Sequence, residues 1–343
     1  MWFRLARYGV GMTELLISGA GVLAEVWRGN LLESAHLGQL VVLDDRGETT
    51  LAVGDPDAVI YARSSLKPLQ TVAMLRAGWH PTSDASVALA CASHSGESEH
   101  LATVRAMLRE AGLDENALQN TPAYPLNGDA ERRWRANGNG PSSLTQNCSG
   151  KHAAMLATCV ANGWDTATYR DPAHPLQQVI SAAIADLTGD QQSPHVTIDG
   201  CGAPLFSTTL HGLARAFARI ATAPDAAEVR VSRAMSAHAD LVGGTGRDVT
   251  AAMRAIPRLI CKDGAEGVYA GAFLDGTAFA FKVLDGGARP RPAILAATLQ
   301  AAGALNVDGV DAAALAALGA VPVLGGGQPV GEVRVAFRDN CRP

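Results

Sequence analysis

The chain has 343 residues, is 48% hydrophobic but only 5% aromatic, and carries a formal charge of −5. That length buries a sizeable core, as one large domain or two small ones. An acidic balance with no basic tail or stripe argues against nucleic acid as a partner, and no apolar run reaches the roughly 18 to 20 residues a membrane helix needs.

Met1 to Leu16 carries Arg4 and Arg7 with no clean apolar stretch behind them, and Glu14 interrupts it, so it does not read as a signal peptide. Met1 and Met12 are both candidate starts, and residues 1–18 are a candidate N-terminal extension. Residues 19–28 and 38–53 predict strands, with Asp44-Asp45-Arg46-Gly47 as a hairpin turn. Val59 to Ala62 predicts a short strand. Ser64 or Ser65 is expected to cap a helix running to about Ala77, with Pro68 in its first turn. Val87 to Cys91 predicts an apolar strand, followed by a Ser/Gly loop and a helix from about Ser98 to Ala111. Residues 113–146, punctuated by Pro122, Pro125, Asn127-Gly128, Asn137-Gly138 and Pro141, predict a long surface loop that frames or lids a site.

A helix over about 149–162 opens at Cys148. Val196 to Asp199 predicts a strand and Gly200-Cys201-Gly202 a tight turn. Helices are expected near 206–221 and 226–241, then a flexible turn at Gly243-Gly244-Thr245-Gly246. Val268 to Leu274 and Ala278 to Leu284 predict a hairpin through Asp275-Gly276. Ala-rich helices at about 291–303 and 310–319 and a strand at Glu332 to Phe337 complete the chain. Strands at both ends with helices between them predict the α+β class: an antiparallel or mixed sheet flanked by helices, in a single domain over residues 1–343.

Six cysteines, at 91, 148, 159, 201, 261 and 341, are expected to be free thiols in a reducing, cytoplasmic compartment, with some able to bind metal. Of the 28 basic residues, 24 are Arg; the lysines are Lys67, Lys151, Lys262 and Lys282. Arg stays protonated in proteins whereas a buried Lys can be neutral near pH 7, so a chain biased to Arg points to its few lysines as positions to inspect.

Ser64 and Lys67 lie three apart at a predicted helix start and share a face. A neutral Lys amine can take the Ser hydroxyl proton and create a nucleophile, and backbone N–H groups at that helix start can stabilise an oxyanion. The bland alternative is a Ser cap beside a solvated Lys. Ser93 and His94, in Cys91-Ala92-Ser93-His94-Ser95-Gly96, are placed to carry protons or hold a substrate carboxylate, or simply to form a turn. Cys148, Lys151 and His152 fall at another helix start, and Asp199 and Cys201 flank a sharp turn. Cys148, Cys201, His152 and Asp199 together offer soft and borderline ligands that suit zinc, although the short Cys-x-x-Cys spacing is absent; the bland alternative is two buried unpaired cysteines. Lys282 sits mid-strand among apolar residues, where a buried amine needs a partner or a shifted pKa. The order Ser-x-x-Lys, Ser loop, late Lys is that of the β-lactamase and penicillin-binding group.

The segments Glu33-Ser34-Ala35-His36, Arg63-Ser64-Ser65-Leu66-Lys67-Pro68, Cys91-Ala92-Ser93-His94, Asn147-Cys148-Ser149-Gly150-Lys151-His152, Asp199-Gly200-Cys201-Gly202-Ala203-Pro204 and Ala265-Glu266-Gly267-Val268-Tyr269 are similar to the rhizobial-type L-asparaginases. The resemblance implies a fold like the serine β-lactamases, homodimers, and hydrolysis of L-asparagine to L-aspartate and ammonia. It implies two Ser–Lys pairs: Ser64 with Lys67, and Ser93 with Lys282, for which Ser95 and Lys262 compete. It also implies zinc held by Cys148, Lys151 and Cys201, with His152 and Asp199 nearby through water. Arg63, His94, His152 and Asp199 are the candidate substrate contacts. Ala35-His36-Leu37-Gly38 differs from the more basic version in that family. The competing readings are a glutaminase, another Ser/Lys hydrolase acting on β-lactams, amides or esters, and a non-enzymatic zinc or thiol sensor.

Overall fold

The computed structural model describes residues 17–191, 194–224 and 226–337. The expectations for Met1 to Leu16 and for Cys341 fall outside the described residues.

The first strands are β1 (Gly21–Arg28), β2 (Leu31–Leu43), β3 (Thr49–Val53) and β4 (Val59–Tyr61). A 3-10 turn over Arg63–Leu66 leads into α1 (Lys67–Arg76), α2 (Asp84–Ala90), α3 (Ser98–Glu110), α4 (Gly128–Ala136), α5 (Ser149–Asn162) and α6 (Pro175–Thr188). Then come β5 (Val196–Ile198), β6 (Pro204–Thr209), α7 (Leu210–Thr222), α8 (Ala226–Ala237), α9 (Ala239–Val242) and α10 (Asp248–Ala255). The chain closes with β7 (Ile260–Asp263), β8 (Val268–Ala272), β9 (Ala278–Val283), α11 (Arg291–Ala301), α12 (Ala312–Gly319), β10 (Pro322–Gly325) and β11 (Gln328–Val335).

Eight strands form one sheet in the order β10-β11-β1-β2-β9-β8-β7, with β3 also paired to β2. Its pairings are antiparallel. A second antiparallel sheet, β4-β6-β5, lies apart from it. The architecture is therefore α+β, an antiparallel sheet flanked by helices. No helix among the described residues is long and apolar enough to cross a membrane.

β2 is the spine. Its second half, Gly38 to Leu43, is buried and pairs β9 along its length, so these residues read as a continuous apolar run. α7 lays Leu210, Leu213, Ala214, Phe217 and Ile220 at helical spacing into the core. Each such fully buried large side chain contributes about 1.5–3 kcal/mol. Thr209 starts that helix, its hydroxyl accepting from Gly212 N at 2.8 Å.

Several expectations are corrected here. Val87 to Cys91 is not a strand. Ser83 caps a helix there by accepting from Ser86 N, and Val87 to Ala90 are buried all round, so no amphipathic period marks the helix. Neither Ser64 nor Ser65 caps α1, since Leu66 precedes it and no side chain supplies the cap bond. The stretch 113–146 contains α4, capped by Asn127, and a 3-10 turn at Glu115–Ala117. The expected 206–221 helix begins instead as β6, and α10, β7 and β10 were not foreseen.

One close approach fixes the helical layer. A Cβ on Gly150, in the first turn of α5, would lie 2.4 Å from Leu89 O of α2. Gly150→Ala gains about 1 kcal/mol of helix propensity, but overpacking costs about 1–3 kcal/mol. The account expects a net loss of stability and a lower Tm in a thermal melt. An unchanged or raised Tm would show that the two helices separate freely.

Candidate active site

Arg63 enters the 3-10 turn at φ 51°, a left-handed conformation that a side chain with a Cβ adopts at a cost. Its guanidinium holds the turn: Nε donates to Asp199 Oδ1 at 2.8 Å, and Nη1 lies 3.7 Å from Glu266 Oε1. Ser65 Oγ donates to Lys262 O at 3.2 Å, which docks the turn on β7. Gly264 permits this, because a Cβ there would sit 2.7 Å from Ala62 O.

Lys67 is 1% exposed. Its Nζ donates to Ala92 O at 2.6 Å and Ser93 Oγ at 3.1 Å. The end of α2 delivers these two residues, and Ser93 N is anchored on Val242 O. Ser64, one turn before Lys67, is half-buried, whereas Ser93 is buried. Ser95 Oγ is committed to Gly243 O at 2.9 Å.

Of the two late lysines, Lys262 joins this cluster. Its buried amine donates to the Asp263 carboxylate and, at 2.6 Å, to Asp263 O. Burial draws that amine down to about 8; Asp263 opposes the shift and Lys67 adds to it. Burial alone would raise the Asp263 carboxyl, but Lys262, Arg247 and Arg291 together hold it well below the usual carboxylate range. Arg247 closes the cluster: Nη1 donates to Ser93 O at 3.2 Å and Nη2 to Asp263 Oδ2 at 2.5 Å. Lys282 stands elsewhere. Its Nζ donates to Glu266 O and Val283 O, at a cavity of about 430 Å³ that Arg63, Glu266 and Tyr61 also line, and burial lowers its pKa. The sequence reading missed Arg247 and Asp263. The one available signal was Lys262-Asp263, a charged pair directly after the apolar Leu259-Ile260.

The second cluster is thiol-rich. Cys148 precedes α5, Lys151 lies in its first turn, and Cys201 sits in the turn after β5, all three nearly inaccessible. Lys151 Nζ donates to Cys201 Sγ at 3.2 Å, and Cys201 Sγ lies 3.8 Å from Asp199 Oδ2. The neighbouring Cys148 thiol and the Lys151 charge lower Cys201 to about 5 against the pull of burial. Cys201 and burial together push Cys148 up to about 12, and its Sγ donates to Asn147 Oδ1 at 3.5 Å. Despite its burial, Lys151 is pushed up by the thiols and Asp199. Asp199 is lowered by Lys151 and Arg63 in spite of its own burial.

Two buried histidines flank this region. His94 Nδ1 accepts from Gly96 N at 3.1 Å, and Nε2 meets Ser149 Oγ at 2.8 Å, whose own proton goes to Leu144 O. The network thus assigns the proton to Nε2 and leaves no nitrogen of His94 free. His152 Nδ1 meets Tyr169 Oη at 2.7 Å, and its Nε2 is buried without a protein partner. Burial first, with nearby cations, lowers both histidines well below the usual value. No group of three or more Cys, His, Asp or Glu able to hold a metal occurs among the described residues. Two converging thiols with a Lys amine, and an orphaned His152 nitrogen beside them, nonetheless have the donor chemistry zinc takes.

The sequence matches the L-asparaginase II family over residues 24–335. The chain belongs to that family. It is an amidohydrolase. Among curated proteins, none matches the sequence. Solved structures similar to this chain include a β-lactamase from Mycobacterium bovis, at 14% identity, TM-score 0.41, over 77% of this chain and 94% of that one. A structure of Mglu aligns at 14% identity and TM-score 0.43, over 88% of this chain and 72% of that one. EstCE1, a hydrolase with promiscuous acyltransferase activity, aligns at 11% identity and TM-score 0.38, over 86% and 95%.

The two histidines give a pH prediction. In the folded protein both stay neutral, whereas in the unfolded chain each binds a proton below about pH 6.5. Unfolding then takes up protons, so stability falls with acidification by about 1.4 kcal/mol per pH unit for each histidine. Denaturant unfolding at pH 7.5 and 5.5 measures it, and the difference should shrink in a His94→Asn/His152→Asn variant. An equal pH dependence in that variant would assign the acid sensitivity to other groups.

Proposed function

We propose that this protein hydrolyses L-asparagine to L-aspartate and ammonia by Ser/Lys nucleophilic catalysis. The observation that carries the reading is the buried Lys67 amine, one turn from Ser64 and 3.1 Å from Ser93 Oγ, in a chain of the L-asparaginase II family. Ser64, the more open of the two hydroxyls, attacks the side-chain amide carbon. Its proton passes to Lys67 and through Ser93 to the nitrogen, the C–N bond breaks, and ammonia leaves. Water then attacks the Ser64 ester, its proton returns to Ser64 Oγ by the same route, and aspartate is released. Lys262, rather than Lys282, is the second lysine on this reading, because it shares the cluster of Ser93, Asp263 and Arg247. Arg63 and Asp199, paired beside Ser64, face the amino acid's charged groups.

Cys148, Lys151 and Cys201 would hold zinc, with the unpaired His152 Nε2 and Asp199 beside it. A bound zinc ion supplies positive charge that orients a substrate oxygen or a water. Binding requires Lys151 and Cys148 to give up their protons. The five described cysteines are free, which suits a reducing cytoplasm. We also propose that the enzyme works as a homodimer.

Ammonia release from L-asparagine by purified protein, before and after chelation, tests the reading. The expected result is release that falls on chelation, returns with zinc, and drops at least 10³-fold in Ser64→Ala and in Lys67→Met, in line with the loss of an activated nucleophile. Full activity in those two variants would sink the mechanism. Metal analysis of Cys201→Ser is expected to show loss of bound zinc; full retention would move the metal elsewhere.

A further inference from the structure

Arg247 lies in the segment before α10, outside every motif that points to the family. It ties two parts of the cluster that share no strand or helix. One arm of its guanidinium donates to the Ser93 carbonyl, and the other to the Asp263 carboxylate, whose second oxygen receives the Lys262 amine. The fork geometry of a guanidinium makes such a two-armed link directional, and a Lys ammonium cannot copy it. Asp263 is nine-tenths buried and turned inward, between Arg247 and Lys262 and within reach of the Arg291 charge. The remaining hydrogen bonds of Ser93, its N–H donating to Val242 O and its Oγ accepting from Lys67 Nζ, come from other elements. Ser93 is thereby held on three sides.

We propose that Arg247 and Asp263 are a positioning pair: they lock Ser93 and the Lys262 amine into one unit and hold that amine's charge in balance during turnover. The proposal rests on the functional reading above, with Lys262 as the second lysine. Every charged or titratable group facing Lys262 enters the balance. Asp263 and Cys261 come from its own strand, Lys67 from α1, Cys91 from the end of α2, and Arg247 from the turn before α10. Asp263 favours the ammonium; Lys67 and Arg247 oppose it. The two members of the pair therefore pull in opposite directions, which gives the test a sign. Loss of the Asp263 charge lowers the pH at which Lys262 releases its proton, and loss of the Arg247 charge raises it. The opposite signs test the charge balance; a fall in kcat in Arg247→Lys, with the titration and KM kept, tests the positioning that a purely structural residue would not supply.

The chain has only four lysines, so selective isotope labelling of lysine side chains gives an NMR spectrum of four amine-adjacent signals, and Lys262→Gln identifies the relevant one. We expect that signal to titrate near pH 8 in the wild type. It should move down in Asp263→Asn and up in Arg247→Gln, each by about one unit. Arg247→Lys, which keeps the charge and loses the fork, should leave the titration near 8 while kcat falls about tenfold with KM little changed. Melting curves of the three variants show whether they fold. An unmoved Lys262 titration in both charge-removing variants, with the fold intact, overturns the proposal. Shifts in the same direction overturn it as well. If the shifts appear as expected but Lys262→Gln keeps full asparagine hydrolysis, the pair stands and the role given to Lys262 in catalysis fails instead.

Discussion

A lysine amine, almost sealed from water between a carbonyl oxygen and a serine hydroxyl, is the constraint on which the rest of the site depends. A buried amine must find partners, and each hydrogen bond it makes has to be supplied by backbone held in place for that purpose. The partners of Lys67 come from the end of α2, whereas Lys67 itself begins α1. The site therefore exists only when α1, α2 and the β7 edge of the sheet are docked together. The left-handed Arg63, the Arg63–Asp199 ion pair and the missing side chain at Gly264 are local consequences of that docking. Each lets a turn approach a strand more closely than ordinary backbone would.

The same logic separates the two chemical clusters. Around Lys67 and Lys262 the Asp263 carboxylate offsets the positive charges of the lysines and Arg247, and burial leaves the Lys262 amine lowered to about 8. Around Cys201 the balance goes the other way. A neighbouring thiol and an ammonium stabilise the thiolate, and Asp199 links that region to Arg63 at the head of the Ser64 turn. A charge change at the thiol cluster is thus one ion pair away from the segment that carries Ser64. This proximity gives the sulfur-rich cluster a physical route to influence the serine.

Much of this was legible in the sequence. The α+β class follows from strands at both ends and a hairpin through Asp275-Gly276, and the family match followed from short segments in consistent order. The scarcity of lysine drew attention to four positions, three of which fall in the two clusters. Other features left no trace a single sequence could show. In the helix at Asp84–Ala90 the run Val87 to Ala90 is apolar and buried all round, so it showed no helical period and read as a strand. Lys282 and Lys262 both follow apolar residues, on neighbouring stretches of one sheet. Only the pairing of β7, β8 and β9 reveals that Lys262 joins the Asp263–Arg247 cluster while Lys282 spends its amine on two carbonyls. Arg247, in a turn that looked merely flexible, acquires meaning only through partners 16 and 154 residues away.

The central claim is that Ser64 forms the covalent bond and that Ser93 only carries protons. Rapid acid quenching of enzyme mixed with L-asparagine, followed by peptide mapping with mass spectrometry, tests it directly. The account predicts an aspartyl ester on the peptide containing Ser64, absent from Ser64→Ala and from enzyme without substrate. An ester on Ser93 would reverse the two roles and contradict it.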